Sequence, residues 1–365
     1  MTSLDILKQQ PVYFYSPGEI AATGSGSAMR QFTNLRAYLD LGFNVEVIQF
    51  VQSTSGLKLR PMVDVPWHQV EYNPHPVSLL RRVAFYTGWP RSWVMEILFP
   101  VRPFVVREVA ARVRQRPEAL HHFEYINIAC AAVDFSGLHA IWSCHDILSR
   151  RVPYLWEMHA GGPVKMNRYQ HTRLWRLRQA EDWVAQANTA ILNIAWHENE
   201  EFVHQRGYRA HFFPMSWPDE LTLMPRPEIH HVSKLRLLHL GNVDGFIGYD
   251  SLSFLLNKVF PLLAPEKINC LELLIVGHIG ESEHSREIHA LAQRFPQVKF
   301  LGFVEDIRQV YAQADVQVTG GERATGMRTR IIESLVYGLP IISTVESARG
   351  VAYLQDGYNI LLAPD

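Results

Sequence analysis

Residues Gly320–Pro340 read Gly-Gly-Glu-Arg-Ala-Thr-Gly-Met-Arg-Thr-Arg-Ile-Ile-Glu-Ser-Leu-Val-Tyr-Gly-Leu-Pro. A glycine-bearing loop runs directly into a helix that carries two arginines and a glutamate. Gly338 ends the helix, Pro340 follows, and Ile341–Val345 reads as a strand. Gly320, Gly321 and Gly326 let the backbone come close to a ligand. The free N–H groups and positive dipole end of the helix favour an anion at that point. Arg328 and Arg330 add charge-assisted contacts suited to phosphate oxygens. Glu333, one turn beyond Arg330 on roughly the same face, only accepts hydrogen bonds as a carboxylate. A phosphate would repel it and a pair of sugar hydroxyls would suit it, so the stretch reads as a site for a sugar nucleotide. The competing reading is a surface helix whose Arg330–Glu333 pair is a solvated salt bridge of little energetic weight.

The residues upstream favour the site. Leu271–Val276 is a short apolar run ending at Gly277, and Val298–Phe303 is another that contains Gly302. Asp306–Ala314 reads as a helix and Val316–Val318 as one more strand. Strands alternating with helices at this interval indicate a doubly wound parallel α/β sheet. Ligands in such sheets bind beyond the carboxyl ends of the strands, where the 320–327 loop is expected.

Six segments in order carry a resemblance: Leu237–Asn242, Leu273–Gly277, Val298–Phe303, Ala314–Val316, Thr325–Glu333 and Gly338–Thr344. Over its last 130 or so residues the chain resembles the C-terminal domain of family-4 (group 1) glycosyltransferases of the GT-B fold. The resemblance implies two Rossmann-like domains facing a cleft. It also implies a nucleotide-diphosphate sugar as donor co-substrate, with no further cofactor and no metal. Glu333 would hold the donor ribose. Arg328, Arg330 and the loop amides would hold the diphosphate, with Asn242, Thr325, Gly326, Met327 and Thr329 lining the donor. Two departures stand out. Many family members place an Arg and a Lys soon after the first strand of this domain, whereas 241–250 has no basic residue. The family also often pairs two glutamates eight positions apart, and Thr325 occupies the place eight before Glu333. The anion-binding duty is therefore expected to fall on Arg328 and Arg330.

At 365 residues the length favours two domains, each with its own core. A net charge of −1 with 19% charged residues argues against a dedicated nucleic-acid binder. The three cysteines form neither a disulfide framework nor a Cys-x-x-Cys metal pair, which favours a reducing cytoplasm. Met1–Gln10 is polar and short of apolar residues, so no signal peptide is expected, and no apolar run approaches the ~20 residues of a membrane-spanning helix. Pro214–Lys234 contains four prolines and no periodicity. It is expected to link a Rossmann-like acceptor-side domain (1–215) to a nucleotide-sugar domain (235–365). The resembling enzymes continue for some tens of residues, so this second domain is expected to lack its final helices.

In the first half, Val12–Tyr15 reads as a strand, Ser27–Leu41 as a helix and Asn44–Val51 as a second strand. The Thr23–Ser27 turn contains Gly24 and Gly26. It is not a dinucleotide fingerprint, because the third glycine position holds Met29 and the second strand ends without an acid. The turn is either plain and flexible or, by the resemblance, faces the donor phosphates and the acceptor. Ile141–Asp146 reads as a strand end followed by His145-Asp146. A lone histidine is often a satisfied core residue. By the resemblance His145 reaches the transferred sugar, with Asp146 as its orienter or as a cap for the next segment.

Residues 81–116 hold eight arginines against two glutamates, interleaved with Phe and Trp. The pattern suits either peripheral contact with an anionic inner membrane face and a lipid-linked acceptor or ordinary amphipathic helices with solvated arginines. The seventeen histidines include no i, i+4 ligand pair that stands out from chance, and there is no Asp-x-Asp, so no metal is expected. The resulting expectation is a retaining glycosyltransferase acting on a hydroxyl acceptor, glycan or lipid-linked. The alternatives are an epimerase or hydrolase of sugar nucleotides on the same fold, or a non-catalytic subunit that binds a sugar nucleotide.

Overall fold

The computed structural model describes residues 8–21, 25–53, 63–74, 78–160, 164–215, 234–323 and 325–363. Gly24 and nearly all of the proline-rich 214–234 stretch lie outside them. The chain divides into two compact units, Met1–Ser216 and Trp217–Asp365.

The first unit is built on seven parallel strands: β1 (Val12–Ser16), β2 (Val45–Gln52), β3 (Trp67–Tyr72), β4 (Leu120–Glu124), β5 (Ala140–Cys144), β6 (Ala190–Asn193) and β7 (Ala210–Phe212). Their order is β3-β2-β1-β4-β5-β6-β7. All five residues of β1 are buried. Val12 and Phe14 pack into one apolar layer, and Tyr13 and Tyr15 into the other. Successive side chains leave opposite faces of a strand, so a strand covered on both sides reads as a continuous apolar run. Helices cover the sheet. They include α1 (Gly26–Asp40), α2 (Leu79–Thr87), α3 (Arg91–Leu98), α4 (Arg102–Gln115), α5 (Leu148–His159) and α6 (Arg168–Ala187).

The second unit has six parallel strands: β8 (Leu235–Leu240), β9 (Leu271–Val276), β10 (Val298–Gly302), β11 (Val316–Thr319), β12 (Ile341–Thr344) and β13 (Leu361–Ala363). The order is β10-β9-β8-β11-β12-β13. Leu237 and Leu238 on β8, like Leu273 and Leu274 on β9, feed the layers on opposite faces. Its helices include α7 (Phe246–Phe254), α8 (Ile307–Gln313) and α9 (Thr329–Val336). In both sheets the strand order reverses beside the first strand, between β1 and β4 and between β8 and β11. A crevice opens at such a switch point, beyond the carboxyl ends of the strands.

Candidate active site

In the second unit the loop after β11 is pinned from three sides. The Gly320 amide donates to Ser251 Oγ at 3.0 Å, Ser347 Oγ donates to the Gly320 carbonyl at 2.5 Å, and Thr344 Oγ1 donates to the Gly321 carbonyl at 2.8 Å. Gly321 has φ +128°, and a Cβ there would sit 2.5 Å from Asp250 Oδ2. The loop delivers Thr325, Met327 and Arg328, all buried, to the start of α9. Arg328 occupies the N-cap position without a side-chain cap, which leaves first-turn amides for another acceptor.

Arg328 and Arg330 are both buried, 4% and 8% exposed, so the solvated surface salt bridge is excluded. Arg328 donates through Nη2 to the Arg323 carbonyl at 2.7 Å, while its buried Nη1 has no partner among the described residues. Arg330 donates to Nε2 of His239 at 2.9 Å. Burial pushes the Arg328 guanidinium down to about 10 and the Arg330 guanidinium, beside Arg328, down to about 9. Both remain cations at neutral pH. Burial, reinforced by Arg330, holds His239 well below the ordinary imidazole range, consistent with a neutral ring that accepts from Arg330. Gly241, at φ +147°, packs directly against that guanidinium, and a Cβ there would lie 2.9 Å from Nη2. Two buried cations thus stand at the β8/β11 switch point, and neither forms an ion pair among the described residues.

Glu333 is half-buried beside Arg330 and Tyr311 of α8. Burial pushes its carboxyl up to about 7, against the opposing pull of Tyr311 and Arg330. Gly326 lies at φ +59° in the turn before α9, and Thr329 is the first residue of that helix. Asn242 is exposed, and its Oδ1 accepts from the Asp244 amide at 2.9 Å, so this side chain shapes the turn after β8.

In the first unit, a cavity of about 610 Å³ opens at the carboxyl ends of β1 and β4, where Pro17, Gly18, Tyr125 and His145 line it. His145 Nε2 lies 2.6 Å from Glu124 Oε2. The same carboxylate meets His122 Nε2 at 3.0 Å and accepts from Asn34 Nδ2 at 2.7 Å. Tyr38 extends the chain to His122 Nδ1 at 2.9 Å. Complete burial would raise the Glu124 carboxyl, but its hydrogen bonds to His122 and His145 hold it well below the usual carboxylate range. The orienter expected at Asp146 is therefore Glu124, because Asp146 instead receives Arg151 Nη1 at 2.8 Å.

Sequence reasoning passed over Glu124 and His239. The available signal was an ionisable side chain at the end or centre of an otherwise apolar strand. Tyr125, also passed over, stacks on His145 with ring centroids 3.7 Å apart and bonds through its hydroxyl to Ser27 on α1. Its backbone lies at φ +64°, ψ 154°, a region that only glycine enters readily and that concentrates at functional sites. Gly26 opens α1 after the Ser25 cap, whose hydroxyl accepts from the Ala28 amide at 3.2 Å. Among the described residues, no three His, Cys, Asp or Glu side chains converge as a metal site would require.

The basic 81–116 stretch divides. Arg102 and Arg112 are buried in ion pairs with Asp134 and with Glu46 and Glu108, and Arg81 pairs with Glu96. Arg107, Arg114 and Arg116 are exposed, and so, around the first helix of the stretch, are Leu80, Val83, Tyr86 and Trp89 with Arg82 and Arg91. No described helix is long and apolar enough to cross a membrane.

Residues 234–365 match the family model described as Glycosyl transferases group 1. Across both units the fold is that of GT-B glycosyltransferase structures. HepE of Anabaena, solved in complex with UDP and glucose, is 15% identical with a TM-score of 0.62, covering 96% of this chain and 85% of that one. A UDP-forming α,α-trehalose-phosphate synthase from Burkholderia vietnamiensis is 10% identical with a TM-score of 0.59, covering 97% and 86%. The apo form of WaaB, a lipopolysaccharide outer core galactosyltransferase, is 14% identical with a TM-score of 0.50, covering 97% and 86%. No curated protein sequence gives a significant match. The chain thus has the fold of GT-B glycosyltransferase structures, and its C-terminal unit, over residues 234–365, carries the group 1 glycosyl transferase sequence.

Proposed function

We propose that the protein transfers a sugar from a nucleoside diphosphate donor to a hydroxyl acceptor, with retention of anomeric configuration and without a metal. The observation that carries the donor reading is the pair of buried arginines at the start of α9, neither of which forms an ion pair among the described residues. A buried cation without a directly paired counter-charge is costly, and a diphosphate supplies one. Arg328, Arg330 and the first-turn amides of α9 hold the diphosphate, and Glu333 accepts from the ribose hydroxyls. Thr325, Gly326, Met327, Thr329 and the Gly241–Asn242 turn complete the donor wall. HepE was solved with UDP and with UDP-glucose, so uridine donors are the first to test.

In the reaction the bond from the anomeric carbon to the diphosphate oxygen breaks and the acceptor oxygen takes its place. The acceptor proton leaves on the diphosphate. Positive charge fixed where negative charge grows is the main catalytic device. His145, held by Glu124, addresses the transferred sugar. The acceptor is a glycan or lipid-linked glycan, and the outward Leu80–Arg91 surface meets an anionic membrane.

Calorimetric titration with UDP and with uridine tests the reading. Hydrogen bonds to charged groups are worth roughly 1.5–3 kcal/mol, so Arg328→Ala or Arg330→Ala should weaken UDP about 10- to 100-fold and leave uridine nearly unchanged. Equal losses on both ligands would remove the arginines from a phosphate site.

A further inference from the structure

We infer that the acceptor received by the first unit's cavity is anionic, a sugar bearing a phosphate or a carboxylate, and that Arg173 holds its charge. The inference rests on the glycosyltransferase reading and adds the acceptor class. One carboxylate and two guanidinium groups line the cavity: Asp146, Arg151 and Arg173. Asp146 is engaged by Arg151 at 2.8 Å. Glu124 lies behind His145, fully buried and shared between two histidines. Arg173 forms no ion pair among the described residues, and its Nε is buried without a partner there. The cavity therefore holds one cation in excess.

The position of that cation is firmly built. Arg173 rides on α6, whose start is fixed by a reciprocal capping box between Asn167 and Gln170. Three positions on, Arg176 donates to the carbonyls of Phe85 and Tyr86 at 2.8 Å. A guanidinium offers planar, bidentate recognition of a phosphate or carboxylate. Leu98, Phe99, Val152 and Leu177 also line the cavity and supply apolar surface, which suits the non-polar face of a sugar ring or an aglycone. The volume falls within the range of small-molecule sites.

The test is ligand-observed NMR on the full chain with three probes: p-nitrophenyl glucoside, its 6-phosphate and p-nitrophenyl glucuronide. Saturating UDP is present to occupy Arg328 and Arg330. Both charged probes should bind at least roughly tenfold more tightly than the neutral one, the weight of a charge-assisted contact. Arg173→Gln should abolish that advantage while leaving the neutral probe unchanged, and Arg173→Lys should keep part of it. A preference for only one charged probe identifies which anion the acceptor carries. Equal binding of all three probes, or an advantage that survives Arg173→Gln, overturns the inference. A separate UDP titration of the same proteins separates the outcomes, since absence of UDP binding would count against the donor site and leave the Arg173 comparison standing.

Discussion

On the proposed function, Glu333 should couple donor binding to protons. Its carboxyl, raised by burial to about 7, is half protonated in the empty site at neutral pH, yet only the carboxylate accepts from both ribose hydroxyls with both oxygens. Binding a UDP-sugar, whose diphosphate does not titrate in this range, should therefore weaken as pH falls from 8 to 6, about tenfold per unit once below the pKa. Glu333→Gln should flatten that profile, and a wild-type profile equally flat would sink the ribose assignment. Stability runs the other way. A carboxyl whose pKa rises on folding stabilises the fold fully below about 4.5 and loses that contribution as pH rises to about 7. The Tm of Glu333→Gln relative to wild type should be higher at pH 8 than at pH 5. Glu124 poses the opposite case, a carboxylate kept ionised by its histidines. Glu124→Gln should lower turnover at least about tenfold while UDP affinity stays unchanged. A parallel fall in both would make Glu124 a purely structural residue.

Glycines at the strand ends set how closely the donor-site elements approach. Gly277, just after β9, has φ +137°, and a Cβ there would stand 2.2 Å from the Gly241 carbonyl oxygen. Gly241 in turn abuts Arg330. Gly277→Ala combines a strained backbone with a backbone clash, so a loss of about 1–3 kcal/mol is expected. Denaturant titration would read it, and a variant as stable as wild type would show that the turn relaxes freely. These glycines also show what a sequence makes readable. The run ending at Gly277 marked β9 directly, because the buried second half of that parallel strand has no polar face to blur the signal. Gly338 likewise marked the end of α9, where it lies at φ +64°. The long-range side-chain partners were not readable in this way. Glu124 meets Asn34 across 90 residues and Arg330 meets His239 across 91, and no local period encodes such pairs. Arginine counting failed for the same reason. Arg102 and Arg112 look like surface charge in sequence but reach acids on other elements.

The two units repeat one strand order, and each gathers its unusual groups at the switch point of its own sheet. The second holds buried cations, and the first holds a buried carboxylate, a strained tyrosine and a cavity. On the proposed function, such a division separates the tasks by unit, with the diphosphate held by the second and the acceptor presented by the first. Hydrogen exchange on the intact chain can read both at once, because a ligand that binds only the folded form suppresses local opening in proportion to ln(1 + [L]/Kd), about 2.7 kcal/mol at a hundredfold excess over Kd. UDP should slow exchange across residues 237–243 and 325–336 and leave 120–146 unchanged. Anionic vesicles should slow exchange across residues 79–91, where Trp89 is 78% exposed, and neutral vesicles should not, since the attraction of Arg82 and Arg91 depends on surface charge. Protection by UDP confined to the first unit would reverse the division of tasks. Vesicles without effect on 79–91 would return Leu80, Val83, Tyr86 and Trp89 to ordinary solvent-facing positions.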